Sequence, residues 1–365
     1  MRAGLAAVWL AAAVVACEHT SPFRPGDYGS DGPLSPGPLA RLTYSAGSDR
    51  TPAWLTAGAG ILYSAERSDR ADGDYCLGQL PAGGGSIRRW ICRTTASDDS
   101  INALDEPAFA TDGRLAYVRA TAPLTLGRPI APLAQELVLA TLDAPQIVRV
   151  LRSIPYTAPS NRVHQAISHV QWLSPTRLAY VGEAVDYPRD CSSCVPDTVR
   201  TGLEIITLDF GGATPILALV PGTDSATSVA AGVTGDTIYF TRNGDSHVFR
   251  YAFSSSRLDT VYDFAPLQNA RDVQVRGNHL YAVLGGRADI GGDLHIVNLV
   301  TGTDSGPPLA AGGTLWYQRP TPSPDGQHLV VQARIVDIVL HFSGEILISA
   351  DTLATASDLW LYRLP

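Results

Sequence analysis

A chain of 365 residues with 45% hydrophobic content can bury a large core, and its formal charge of −8 sets aside nucleic acid as the main partner. All 27 basic residues are arginine, scattered along the chain and not gathered into a basic stripe. With 34 Gly and 26 Pro, and no sustained helical periodicity beyond the first sixteen residues, the composition suits many short strands joined by turns.

In chain order, the first element is an address. Arg2 precedes an unbroken apolar run, Ala3–Ala16, too short to span a bilayer and suited to a signal peptide over residues 1–16. The run ends in Val14-Val15-Ala16-Cys17, which resembles the bacterial lipobox. That resemblance implies cleavage before Cys17, a diacylglycerol thioether on its sulfur and acylation of the new amine. Several acyl chains then hold the protein on a membrane where one would not. Residues 17–38 comprise this Cys and a Pro/Gly-rich tether with a coil-like reach of roughly 25 Å. Glu18 is not the Asp that favours inner-membrane retention in enteric bacteria, so the expected location is the outer membrane, facing the periplasm.

A seven-residue pattern then recurs: Asp74–Leu80, Glu136–Leu142, Gly202–Leu208, His247–Phe253, Asp293–Leu299 and Asp358–Leu364. Each reads x-apolar-x-apolar-x-x-apolar, the signature of one supersecondary unit reused and stacked on its neighbours. Upstream of each copy lies a turn and a short apolar strand, at Ile61, Leu115, Leu178, Ile238, Leu280 and Leu329. Before each turn stands another strand, at Pro52–Trp54, Pro107–Phe109, Val170–Trp172, Val229–Ala231, Val273–Val275 and Pro320–Pro322. Fourth strands follow most copies, at Ile87–Cys92, Gln146–Leu151, Pro215–Val220 and Thr260–Phe264. Four antiparallel strands per unit, six times over, predict an all-β, six-bladed propeller across residues 39–365.

Ser323-Pro324-Asp325-Gly326 and the segment Leu42-Thr43 through Pro52-Ala53-Trp54 resemble the WD40-like (PD40) repeat of TolB-type propellers. The segments at Thr111–Leu115 and Leu173–Thr176 are weaker copies. The last blade stops after its third strand, whereas Leu39–Ser45 is a fourth-strand pattern with no blade before it. An unpaired edge is a liability, so the early strand is expected to complete the last blade and close the ring.

Cys76 and Cys92 flank a hairpin symmetrically, which predicts a disulfide between adjacent strands. Cys191 and Cys194 admit a redox pair, half a zinc site or a small loop-stapling disulfide; the disulfide asks least of the surroundings. Three connections on one face are long: Ala120–Gln135, Glu183–Thr201 and Ala333–Ser357. Long loops on one face of a rigid scaffold are where binding is usually built. Arg50, Glu106, His169, Ser228, Asp272 and Arg319 are expected to open the inner strands at the channel mouth on that face, a mixed set suited to a polar or peptide ligand. The competing expectation is that they hydrate the channel and brace each other.

There is no G-x-S-x-G elbow, H-E-x-x-H, P-loop or dinucleotide fingerprint. The expectation is therefore a monomeric, lipid-anchored binding or scaffolding module without cofactor or metal, whose partner is an envelope protein or peptide segment. The alternative is a carbohydrate- or peptide-cleaving lyase or hydrolase in the funnel, using His169, Glu106 and Arg319.

Overall fold

The computed structural model describes residues 38–44, 47–66, 74–93, 100–125, 128–129, 134–154, 163–186, 199–200, 204–267, 269–287, 291–305, 315–343 and 346–364. Cys17, Cys191 and Cys194 lie outside them, as do the segment expected to be a signal and nearly all of the expected tether.

Within them the strands group into antiparallel sets of four, each starting with its innermost strand. Blade one is Asp49–Trp54, Gly60–Glu66, Tyr75–Pro81 and Arg89–Ile91. Blade two is Ser100–Phe109, Arg114–Thr125, Ala134–Thr141 and Arg149–Ile154. Blade three is Val163–Ser174, Arg177–Asp186, Glu204–Asp209 and Ile216–Leu219. Blade four is Ala226–Ala231, Thr237–Arg242, His247–Ala252 and Arg257–Asp263. Blade five is Arg271–Arg276, His279–Arg287, Gly291–Asn298 and Thr303–Asp304. Blade six is Leu315–Pro322, His328–Ser343 and Asp358–Arg363, with Pro38–Arg41 as its fourth strand.

The ring closes where the sequence led us to expect. Pro38 lies opposite Tyr362 and Arg41 opposite Trp360. The Leu42 amide donates to the Leu359 carbonyl (2.7 Å), and the Leu359 amide donates to Thr43 Oγ1 (2.9 Å). The apolar residues of the seven-residue repeat fill the gaps between blades. One buried cluster joins blades six and one through Leu42, Trp54, Tyr63, Leu80, Val330, Leu359 and Leu361. Equivalent clusters occupy the one–two, two–three, three–four, four–five and five–six gaps. A blade buries both faces only if it has a neighbour on each side, so apolar burial drives closure.

The acid that opens the third strand has a structural reason. Asp74 Oδ1 accepts the Asn102 amide of the next blade (2.6 Å), and Asp358 accepts hydrogen bonds from Arg41 of the closing strand and from Thr43 just beyond it. The indole N–H groups of Trp54 and Trp172 donate to inner-strand carbonyls of the preceding blade, Thr321 (2.8 Å) and Ala108 (3.0 Å). Cys76 and Cys92 form the expected disulfide, with Cα atoms 4.6 Å apart.

The three long connections differ from expectation. Inner and second strands stay paired well above the blade body, Ser100 with Pro123 in blade two and Val163 with Asp186 in blade three. In blade six, His328–Ser343 runs on and pairs with Ile346–Ala354 as a separate ribbon. Extending an existing ladder satisfies backbone groups that an open loop would leave to water. These segments are ribbons, on the face where they were expected.

Replacing Leu42, 6% exposed, by Ala is expected to cost about 3 kcal/mol in urea denaturation, as large-to-small changes in a packed core do. The same change at Leu219, 53% exposed on an outer strand, should stay within about 0.5 kcal/mol. Asp358 adds a pH dependence to closure: burial pushes its carboxyl up to about 6, against the pull of Arg41 and Thr43. A raised carboxyl contributes stability at low pH that is lost as pH rises through about 6. Hydrogen exchange at the Leu42 and Leu359 amides, corrected for intrinsic rate, should show more protection at pH 5 than at pH 7.5. Asp358→Asn should remove that difference.

Candidate functional site

Pairing between inner and second strands slips at one recurring place. It is interrupted between Arg50 and Ala53, Asp105 and Ala108, Ser168 and Gln171, Arg271 and Gln274, and Gln318 and Thr321. Two inner-strand residues there oppose one on the partner, a β-bulge. The first of the two has left-handed backbone each time: Thr51 (φ +48°), Glu106 (+52°), His169 (+53°), Asp272 (+50°) and Arg319 (+52°). Non-glycine residues pay roughly 1–2 kcal/mol for that conformation. Five copies of it re-aim side chains toward the axis, where the inner strands of blades one, two, three, five and six surround a small cavity of about 40 Å³.

Four of the expected residues are drawn together here from four blades. The Arg319 guanidinium grips Glu106 with Nη2 2.5 Å from Oε1 and Nη1 3.2 Å from Oε2. Glu106 Oε2 also accepts the His169 amide (2.8 Å). His169 Nε2 lies 2.8 Å from Asp272 Oδ1, and Arg319 Nε lies 3.7 Å from the same oxygen. Burial alone would raise the Asp272 carboxyl, but the His169 hydrogen bond and the Arg319 charge outweigh it and hold the carboxyl at about 2. Burial alone would lower Arg319, and the carboxylates of Glu106, Asp272 and Asp105 raise it instead.

Ser228 does not join this cluster. Blade four carries its slip one residue earlier, between Ala226 and Ser228, and Ser228 stays paired with Thr241. Its hydroxyl is fully buried, 2.6 Å from Thr241 Oγ1, and accepts the Val273 amide (3.1 Å), stitching blade four to blade five. Arg50 is one residue off the ring position, which in blade one is Thr51. Arg50 instead pairs with Asp105 (2.6 Å) and lies over the Tyr75 ring, 3.7 Å from its centroid. Thr51 Oγ1 donates to Asp105 Oδ1 (2.7 Å). The residue preceding Pro52, Pro107, Val170, Val229, Val273 and Pro320 was the signal for the ring position; applied evenly it selects Thr51. The cluster also lies within the inner strands, at the bulges, and not where those strands open.

Above the cluster the channel widens into an open cavity of about 410 Å³, on the face that carries the ribbons. His169, Asp272 and Arg319 wall both spaces, so they form the floor of the funnel. The rim is built by residues that sequence reasoning missed. Arg242 and Asn243 end the second strand of blade four, and Asn269 and Arg271 lead into the inner strand of blade five. Arg242 donates to the Gly222 carbonyl (2.5 Å) and lies over the Phe249 ring, 4.2 Å from its centroid. Ser168, Thr227 and Gln318 add hydroxyl and amide groups. Among the described residues no group of three His, Cys, Asp or Glu is arranged to hold a metal ion. Glu106 and Asp272 instead share an internal cation, Arg319.

No protein-family model matches the chain. No curated protein matches it either. Solved structures do. XC5397 from Xanthomonas campestris, a gluconolactonase, matches at 13% identity and TM-score 0.52, over 89% of each chain. A luciferin-regenerating enzyme matches at 11% identity and TM-score 0.50, over 90% of this chain and 96% of that one. TolB from Acinetobacter baumannii matches at 14% identity and TM-score 0.48, over 84% of this chain and 64% of the TolB chain. At such identities likeness speaks to fold alone, and the chain is a β-propeller, the fold implied by its repeats.

The floor makes a testable unit. Arg319→Met leaves two buried carboxylates without their cation and should cost about 3–5 kcal/mol in urea denaturation. Adding Glu106→Gln and Asp272→Asn to that variant should recover most of the loss, because no charge then remains unpaired. Additive losses would show that the three do not act as one network.

Proposed function

We propose that the protein is a lipid-anchored envelope propeller that binds a protein or peptide segment in its funnel and performs no chemistry on it. One observation carries this reading: Glu106, His169, Asp272 and Arg319 are one another's partners, so the polar centre braces the floor while the open space above is lined by donors and acceptors. The strand polarity adds an orientation. Pro38 lies beside Tyr362, at the end of the third strand opposite the funnel face. A tether entering there from an acylated Cys17 turns the funnel away from the membrane, toward a periplasmic partner. As a monomer the protein presents one such mouth.

A second reading rests on His169. Its Nε2 lies 2.8 Å from Asp272 Oδ1, and its Nδ1 lies 3.2 Å from Ser168 Oγ on the cavity wall. Serine, base and orienting carboxylate in series is the arrangement of an acyl-transfer hydrolase.

Two measurements test these assignments. Alkynyl-palmitate fed to cells should label the wild-type chain and leave Cys17→Ser unlabelled; equal labelling removes the anchor. A photo-crosslinking residue at Asn243, on the funnel rim, should capture an envelope protein or peptide that the same residue at Asp112, on an opposite-face turn, does not. Equal capture at both positions, or none, defeats the binding reading. Covalent labelling of Ser168 by a fluorophosphonate, lost in His169→Ala, would establish the hydrolase in its place.

A further inference from the structure

We infer that the funnel is a blind socket for the free C-terminal carboxylate of a peptide, an assignment that rests on the binding reading above and names its ligand. The first argument is geometric. The floor formed by Arg319, Glu106, His169 and Asp272 is tied across the axis by contacts of 2.5–3.2 Å, so a chain cannot thread from one face to the other. A cavity closed below and open above accepts a chain end. At about 410 Å³ it is sized for a small ligand or a few terminal residues.

The second argument is charge. Three guanidinium groups line the cavity, from Arg242, Arg271 and Arg319, against one carboxylate, Asp272. Asp272 is engaged by His169 and Arg319, and Arg319 is neutralised by Glu106 beneath it. That leaves Arg242 as the guanidinium on which the charge argument rests. Arg242 makes no ion pair within 4.0 Å among the described residues. Its bond to the Gly222 carbonyl and its place over the Phe249 ring orient the guanidinium, whose charge also acts on the nearby Asp245 carboxylate without forming an ion pair with it. A held guanidinium loses little entropy on meeting a carboxylate, and its planar fork matches one. Asn243, Asn269, Thr227 and Gln318 supply the amide and hydroxyl groups that pair with the last peptide units of an entering chain.

The full-length protein is tested against four immobilised probes. These are random heptapeptides with free C-terminal carboxylates, the same peptides amidated, random heptapeptides with free N-termini, and oligogalacturonates carrying sugar carboxylates. Enrichment is expected from the free-acid pool alone. Resynthesised binders should lose at least tenfold in affinity on amidation and a similar factor against Arg242→Gln. Asn269→Asp guards against a folding artefact, since it places a negative charge on an exposed position whose backbone (φ +60°) Asp tolerates. It should weaken free-acid binders at least threefold with no change in melting temperature. Equal binding of acids and amides overturns the carboxylate socket while leaving peptide binding intact. Enrichment of the N-terminal pool or of the sugar acids overturns it in favour of that other ligand. Failure of every pool to bind removes the peptide-binding reading and the socket together.

Discussion

The whole molecule depends on the hydrogen-bonded edge between Pro38–Arg41 and Asp358–Arg363. Each blade has two apolar faces, and an open row of blades would leave one face bare at either end. Pairing the earliest described strand with the last turns those two bare faces into a single interface, where Leu42, Trp54 and Tyr63 meet Val330, Leu359 and Leu361. The backbone ladder sets the register, and the apolar cluster supplies most of the free energy. Ser357 and Asp49 reinforce the seam, with the Asp49 amide donating to Ser357 and the Ser357 hydroxyl returning to the Asp49 carbonyl.

Closure has a consequence at the axis. Inner strands converging on one point cannot all run as flat ladders, because their side chains would collide or leave a void. The recurrent bulge resolves this by turning one residue per blade inward at a cost in backbone strain, at five of the six inner strands. Blade four departs from the pattern, and its Ser228 works between blades. The inward residues of blades two, three, five and six hold one another, Arg319 gripping Glu106 and lying beside Asp272, and His169 reaching Asp272. A channel that might have run through the ring is thereby floored, and the funnel above it becomes a socket whose character is set by Arg242, Arg271 and their amide neighbours. The Ser168–His169–Asp272 series lies at the same boundary, which is why the binding and hydrolytic readings concern one place.

Much of this was legible in advance because it is local. The seven-residue pattern marks the third strand of each blade to within about two residues, since alternation and turn residues act over a few positions. The cysteines at 76 and 92 were placed by hairpin symmetry, and the disulfide is there. Where prediction slipped, a non-local cause was at work. The ring position in blade one belongs to Thr51 and not Arg50: the residue before Pro52 marks the place, but nothing local says that the backbone turns left-handed there at a non-glycine residue. The ribbon of His328–Ser343 with Ile346–Ala354 is a long connection in the sequence pattern, because its pairing begins beyond the point where the blade pattern stops.

Taken alone, the sequence determined the all-β class, the order of strands within each unit and the need for an early strand to complete the last unit. These follow from side-chain periodicity and from the cost of an unpaired edge, both properties of neighbouring residues. Only the tertiary structure decided that Arg319 would meet Glu106, 213 positions away, and that Arg242 and Arg271 would stand over them on one rim. Those encounters depend on how far each blade is rotated about the axis and where each bulge turns its side chain. Such angles arise from packing the closed ring, and no stretch of the chain carries them by itself.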